Sequence, residues 1–76
     1  MTADEIQSWL RTRIAQAVGV RVETIDVNAR FIDHGLDSVA MLTLTGELET
    51  VLGRQLEATL FFEHPSIVKL ARHLAA

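Results

Sequence analysis

The residues best placed to do chemistry are Asp37 and Ser38, in the segment Gly35-Leu36-Asp37-Ser38-Val39-Ala40. This segment closes a stretch without helical period and opens an amphipathic one, so Ser38 is predicted to stand at a helix N-terminus. A helix start offers free backbone N–H groups and the positive end of the helix dipole. A phosphate esterified to the Ser38 hydroxyl would be stabilised there. Two other readings compete. Asp and Ser are both favoured N-caps, and taken alone the pair is an ordinary cap. A hydrolase nucleophile would need a base, an oxyanion hole and, at a tight elbow, glycine two residues after the serine. Ala40 occupies that position, and His34, though close in sequence, has no evident route to a positioned triad.

The remaining chemical inventory is thin. The chain has no cysteine, which excludes disulfides, thiolate metal sites and cysteine nucleophiles. His34, His64 and His73 lack metal-ligand spacing such as His-Glu-x-x-His. They read as a solvent-facing loop residue, a turn residue before Pro65 and a surface residue. Asp33, His34 and Asp37 could attract a divalent ion weakly, but a solvated loop is the simpler reading. Phe61 and Phe62 read as core, with one of the two beside the serine's surroundings.

Four helical segments are needed to position Ser38. Thr2-Ala3-Asp4-Glu5 fits a capping box, and Ile6, Leu10, Ile14 and Ala17 follow at helical spacing with Val18 alongside. Trp9 lies at the edge of that stripe, and Gly19 is the expected stop. Residues 20–37 read as a long loop pinned by Val20, Val22, Ile25, Val27 and Phe31. A β-hairpin competes there, but no tight-turn pair such as Asn-Gly is present. Long ordered loops are often functional. The second helix is expected from Ser38 to Leu52, ending at Gly53, with Met41, Leu44, Leu48, Val51 and Leu52 on one face. Val39, Leu42 and Gly46 fall away from it at ~100° per residue. Glu57 to Glu63 reads as a short helical turn. Pro65 suits the first turn of a last helix carrying Ile67, Leu70, Ala71 and Leu74, with Lys69, Arg72 and His73 late in it. The fold expected is all-α, a small four-helix bundle of three longer helices and one short one, with a long loop between helices 1 and 2.

Seventy-six residues, 49% hydrophobic, make one domain with a modest core and little room for an enclosed substrate pocket. No apolar run is long enough to span a bilayer and no signal peptide is evident, so a cytoplasmic monomer is expected. The net charge of −3 is unevenly placed. Asp33, Asp37, Glu47 and Glu49 give residues 31–53 a charge of −4, with no Lys or Arg among them. That field disfavours nucleic acid and favours a basic protein partner. Asp37, Glu47 and Glu49 are expected to steer such partners, with Val39, Leu42 and Gly46 as an apolar docking patch. The competing readings are a solvated helix face and, for Gly46, a bend or a close internal contact.

The whole pattern resembles the acyl carrier proteins. Leu36-Asp37-Ser38 is similar to their attachment site, and the order of elements matches over nearly the whole chain. Phe62-Glu63-His64-Pro65-Ser66-Ile67, Leu44-Thr45-Gly46-Glu47-Leu48-Glu49 and Leu52-Gly53-Arg54 look like the polyketide-synthase branch, and also like carriers loaded by fatty-acyl-AMP ligases. Peptidyl carriers of nonribosomal synthetases usually have a second glycine where this chain has Leu36. Val39 stands where many members have leucine. The resemblance implies an acyl carrier domain over residues 1–76 that catalyses nothing itself. A 4'-phosphopantetheine arm, transferred from coenzyme A to Ser38 by a phosphopantetheinyl transferase, would hold acyl groups as thioesters. An acyltransferase or fatty-acyl-AMP ligase would load it, and a ketosynthase or other synthase domains would use it. A peptidyl carrier and an unmodified acidic helical adaptor are the alternatives. The start at Met1, followed by a natural-looking cap, favours a free-standing protein.

Overall fold

The computed structural model describes residues 1–76 and contains only helices and turns. Helix α1 spans Ala3–Val18. Its start is set by Thr2, whose hydroxyl accepts from Glu5 N–H while the Glu5 carboxylate accepts from Thr2 N–H at 2.8 Å. Helix α2 spans Ser38–Leu52, α3 Leu60–Glu63 and α4 Ile67–Ala75. The expected all-α bundle of three longer helices and one short one is what the chain adopts.

Ile6, Leu10 and Ile14 of α1 are fully buried with Leu44 and Leu48 of α2 and Ile67, Leu70 and Ala71 of α4. Phe31 and Phe61 meet in the same core with ring centroids 4.6 Å apart. Helix α1 packs most extensively on α4. Three details depart from the periodic reading. Ala15, not Ala17, completes the buried stripe of α1. Val51 is exposed, and Thr45 takes a buried place on α2 because its hydroxyl donates to Met41 O at 2.8 Å. Pro65 lies before the helix start, since Ser66 is the N-cap of α4 and accepts from Lys69 N–H.

Residues 20–37 form no hairpin. They contain two single 3-10 turns, Val22–Thr24 and Phe31–His34. Ile25, Phe31 and Leu36 are buried anchors, Val22 and Val27 are half-buried, and Val20 is exposed. The loop's backbone is tied to the α4 entry: Phe31 N–H donates to Pro65 O at 2.8 Å and Val68 N–H to Val27 O at 3.1 Å. His34 is half-buried, its Nε2 3.0 Å from Asp26 O, so it staples the loop to itself.

Two exposed carboxyls sit below their ordinary values. Glu5 is lowered by the backbone N–H and then the hydroxyl of Thr2, and Asp33 by the hydrogen bond from Arg30. Depressed carboxyls add stability that is present above their unfolded values and lost as pH falls through the folded ones. Stability should therefore decline as pH drops below the ordinary 4.5 of Glu5 and 3.8 of Asp33. The Glu5→Gln, Asp33→Asn double variant should show a shallower decline in urea midpoint over that range. An unchanged slope would assign the acid sensitivity to other groups.

Candidate functional site

Gly35 closes the second 3-10 turn with φ +85°, a conformation that favours glycine. The buried Leu36 follows and fixes the chain before it enters α2. Asp37 is the N-cap: its Oδ1 accepts from Ala40 N–H at 2.8 Å. Ser38 is thus the first residue of a 15-residue helix, and its side chain is exposed. With Ala40 N–H held by Asp37, the amides of Ser38 and Val39 remain without an intrahelical acceptor. They and the helix dipole form an anion-favouring end beside an exposed hydroxyl.

The other two serines stand elsewhere. Ser66 is buried and engaged as the α4 cap. Ser8 is exposed but lies in the middle of α1, where the amides are bonded within the helix.

One turn beyond Ser38, the Met41 side chain lines a cleft of about 300 Å³ with Phe31, Ile32, Phe61, Phe62, Pro65 and Arg30. Phe61 forms buried wall and Phe62 exposed rim, so the two aromatics have different tasks. No cluster of three or more His, Asp or Glu side chains is close enough to hold a metal. His64 and His73 come together, with stacked rings 4.0 Å apart, at the α3–α4 junction, and neither lines the cleft beside Ser38.

The acidic segment is less free than its composition suggests. Asp33 is paired with Arg30 at 3.1 and 3.2 Å. Glu47 takes Arg13 on both oxygens, at 2.7 and 3.0 Å from Nη2, and Nε donates to it as well. Glu49 accepts from Leu56 N–H at 2.8 Å, and Asp37 serves its cap. All four carboxylates of residues 31–53 therefore have partners inside the domain. Helices α2 and α1 lie close enough for Arg13 to reach Glu47, and the chain after Gly53 turns back so that Glu49 accepts a backbone N–H. Sequence reading could not find Arg13, which is 34 positions from Glu47.

Val39 and Leu42 are exposed, at 69% and 52%. Gly46 is exposed, and a Cβ built there meets nothing within 4 Å. Internal close packing therefore does not explain this glycine. Gly46→Ala should stabilise the free domain by about 0.5–1 kcal/mol, the helix-propensity difference. A lowered thermal midpoint would contradict the open geometry.

A small helical bundle that presents one serine at the start of its second helix, beside an apolar cleft, is the architecture of a carrier domain. A family described as the phosphopantetheine attachment site matches residues 8–74, and the chain belongs to it. Members carry a covalently attached 4'-phosphopantetheine. Polyketide synthase PksN of Bacillus subtilis is 33% identical over 72 residues, which are 95% of this chain and 1% of that protein. The chain spans only 1–4% of the length of this and the next curated relatives it matches. An acyl carrier protein from Anabaena sp. PCC 7120 with a variant phosphopantetheinylation-site sequence superposes with TM-score 0.91 at 37% identity, covering 99% of this chain and 85% of that one. A free-standing peptidyl carrier protein from Acinetobacter baumannii superposes with TM-score 0.90 at 36% identity, covering 96% and 91%.

Proposed function

We propose that this domain is an acyl carrier of the polyketide type, with Ser38 as the attachment residue of its 4'-phosphopantetheine. The carrying observation is the exposed Ser38 hydroxyl at the first position of α2, with two unpaired amides beside it and the cleft one turn away. When bound, the group supplies a thiol that holds acyl chains as thioesters. The domain's own residues position and present. Asp37 holds the helix start, Leu36 anchors the approach, and the α2 dipole and free amides stabilise the phosphodiester on Ser38 Oγ. The partners are a phosphopantetheinyl transferase, an acyltransferase or fatty-acyl-AMP ligase, and a ketosynthase or other synthase domain. Their shared contact surface is the exposed side of α2 around Asp37, Val39, Leu42 and Gly46, flanked by Glu47 and Glu49.

The polyketide reading is supported by relatives named as polyketide synthases and by Leu36, where peptidyl carriers usually have glycine. A peptidyl carrier is the second reading, favoured by the A. baumannii carrier of 36% identity. Intact mass after incubation with coenzyme A and a broad-specificity phosphopantetheinyl transferase tests the first step, and one added phosphopantetheine is expected. Transfer of acyl groups from a panel of acyl-loading enzymes, compared with aminoacyl loading by adenylation domains, tests the second. Aminoacylation alone would favour the peptidyl reading, and no mass gain would overturn both.

A further inference from the structure

Residues 53–59 join α2 to α3 through turns alone, so their course has to be fixed from outside the segment. Glu49 does most of this. Its carbonyl oxygen accepts from Gly53 N–H at 2.8 Å and from Arg54 N–H at 3.3 Å, which ends the helix at the left-handed Gly53. Its carboxylate Oε2 accepts from Leu56 N–H at 2.8 Å, seven residues ahead. Leu56 is half-buried against the core. On the other side, Arg54 Nη2 donates to Leu74 O at 2.7 Å and ties the same segment to the end of α4. Beyond the segment comes α3, whose Phe61 and Phe62 line the cleft one turn from Ser38. A helix of four residues has no stability of its own. Leu60 and Phe61 seat it in the core, and the incoming chain sets where it starts.

We propose that Glu49 is a positioning residue for the chemistry at Ser38, a latch whose carboxylate oxygen fixes residues 53–56 and, through them, α3 with its Phe61–Phe62 wall. The proposal rests on the carrier reading, which makes Ser38 the reacting group. Glu49 stands three turns beyond Ser38 on α2, roughly 16 Å along the axis, so it acts through α3 and not on the serine. The latch requires reach. Charge strengthens the bond, but an uncharged acceptor oxygen at the same reach also makes it. A carboxylate that only steered basic partners would require charge and no particular length. Without the bond, the Leu56 N–H is left unpaired in a half-buried place, and the segment moves to hydrate it. Helix α3 then shifts with the segment.

Three variants separate the two roles. Glu49→Gln keeps the reach and drops the charge. Glu49→Asp keeps the charge and is one methylene too short. Glu49→Ala drops both. Loading by a broad-specificity phosphopantetheinyl transferase at saturating coenzyme A, read by intact mass well below each thermal midpoint, gives kcat/KM. Amide hydrogen exchange at Leu56 reads the latch directly. Glu49→Gln should load within about twofold of wild type, and Glu49→Asp and Glu49→Ala should each fall about fivefold or more, because small misplacements beside a reacting group are costly. Leu56 N–H should exchange about tenfold or more faster in the Asp and Ala variants, as expected for loss of a bond to a carboxylate. The ring resonances of Phe61 and Phe62 should shift with it. Slow loading by Glu49→Gln, wild-type loading by Glu49→Asp or Glu49→Ala, or unchanged Leu56 exchange in the last two would each overturn the proposal. Absence of any mass gain on the wild-type chain would overturn the carrier reading and the role at Ser38 with it, whereas hydrogen exchange would still decide the latch.

Discussion

Ser38→Ala should remain a folded helical domain and gain no phosphopantetheine under conditions that load the wild-type chain completely. The structure separates these two outcomes. The cap of α2 is Asp37, whose Oδ1 already holds Ala40 N–H, so the Ser38 hydroxyl is not needed to start the helix. Ser38 is exposed, and an exposed substitution that breaks no cap changes stability within about ±0.5 kcal/mol. Loss of the side-chain oxygen removes the only hydroxyl at this helix start to which the phosphate could be esterified. Intact mass and a thermal melt on the same sample check both halves. A Ser38→Ala chain that still gained the mass would transfer the assignment to Ser8, since Ser66 is buried and engaged in its own cap.

The largest effect on stability is expected from Leu70→Ala. Leu70 has no solvent exposure and lies on α4 between the equally buried Ile67 and the nearly buried Leu74. Truncating a fully buried leucine removes its transfer free energy and leaves a cavity, at a cost of about 2–5 kcal/mol. A small domain has only about 5–15 kcal/mol in all, and one of 76 residues sits low in that range. The urea midpoint should therefore fall by a third or more, with the m-value unchanged if unfolding remains two-state. A midpoint equal to wild type would mean that α4 is not docked as described.

The elements most readable in the sequence are those written in local signals. Thr2 with Glu5, Gly19, Asp37 and Gly53 each act within a few residues, and the boundaries of α1 and α2 follow from them. The place of Ser38 at the start of α2 was readable for the same reason. The fate of residues 20–37 was not, because the partners of its backbone groups are at Pro65 and Val68, and no periodicity within the loop encodes them. Periodicity also misjudged Val51 and Thr45, since a threonine that bonds its own helix at i−4 can be buried at little cost. Counting acids in residues 31–53 is correct as composition, but Arg13 and Arg30 reach in from outside that window. The cleft beside Ser38 combines the loop, α2, α3 and Pro65, so no single stretch of sequence could display it.

Helix α1 lies most extensively against α4, so the pairing that completes the domain joins the two helices farthest apart in sequence. Contacts of that separation carry the greatest loop-closure entropy and form late. The loop before Ser38 is tied to the α4 entry, so the approach to the serine becomes ordered only when the chain has closed on itself. A nascent chain emerging from the ribosome would hold the complete hexapeptide Gly35–Ala40 well before it holds the platform. An enzyme that reads the short peptide could modify it co-translationally. One that reads the α2 platform must wait for α4, so under the proposed carrier function completion of the fold would act as a checkpoint on modification of Ser38.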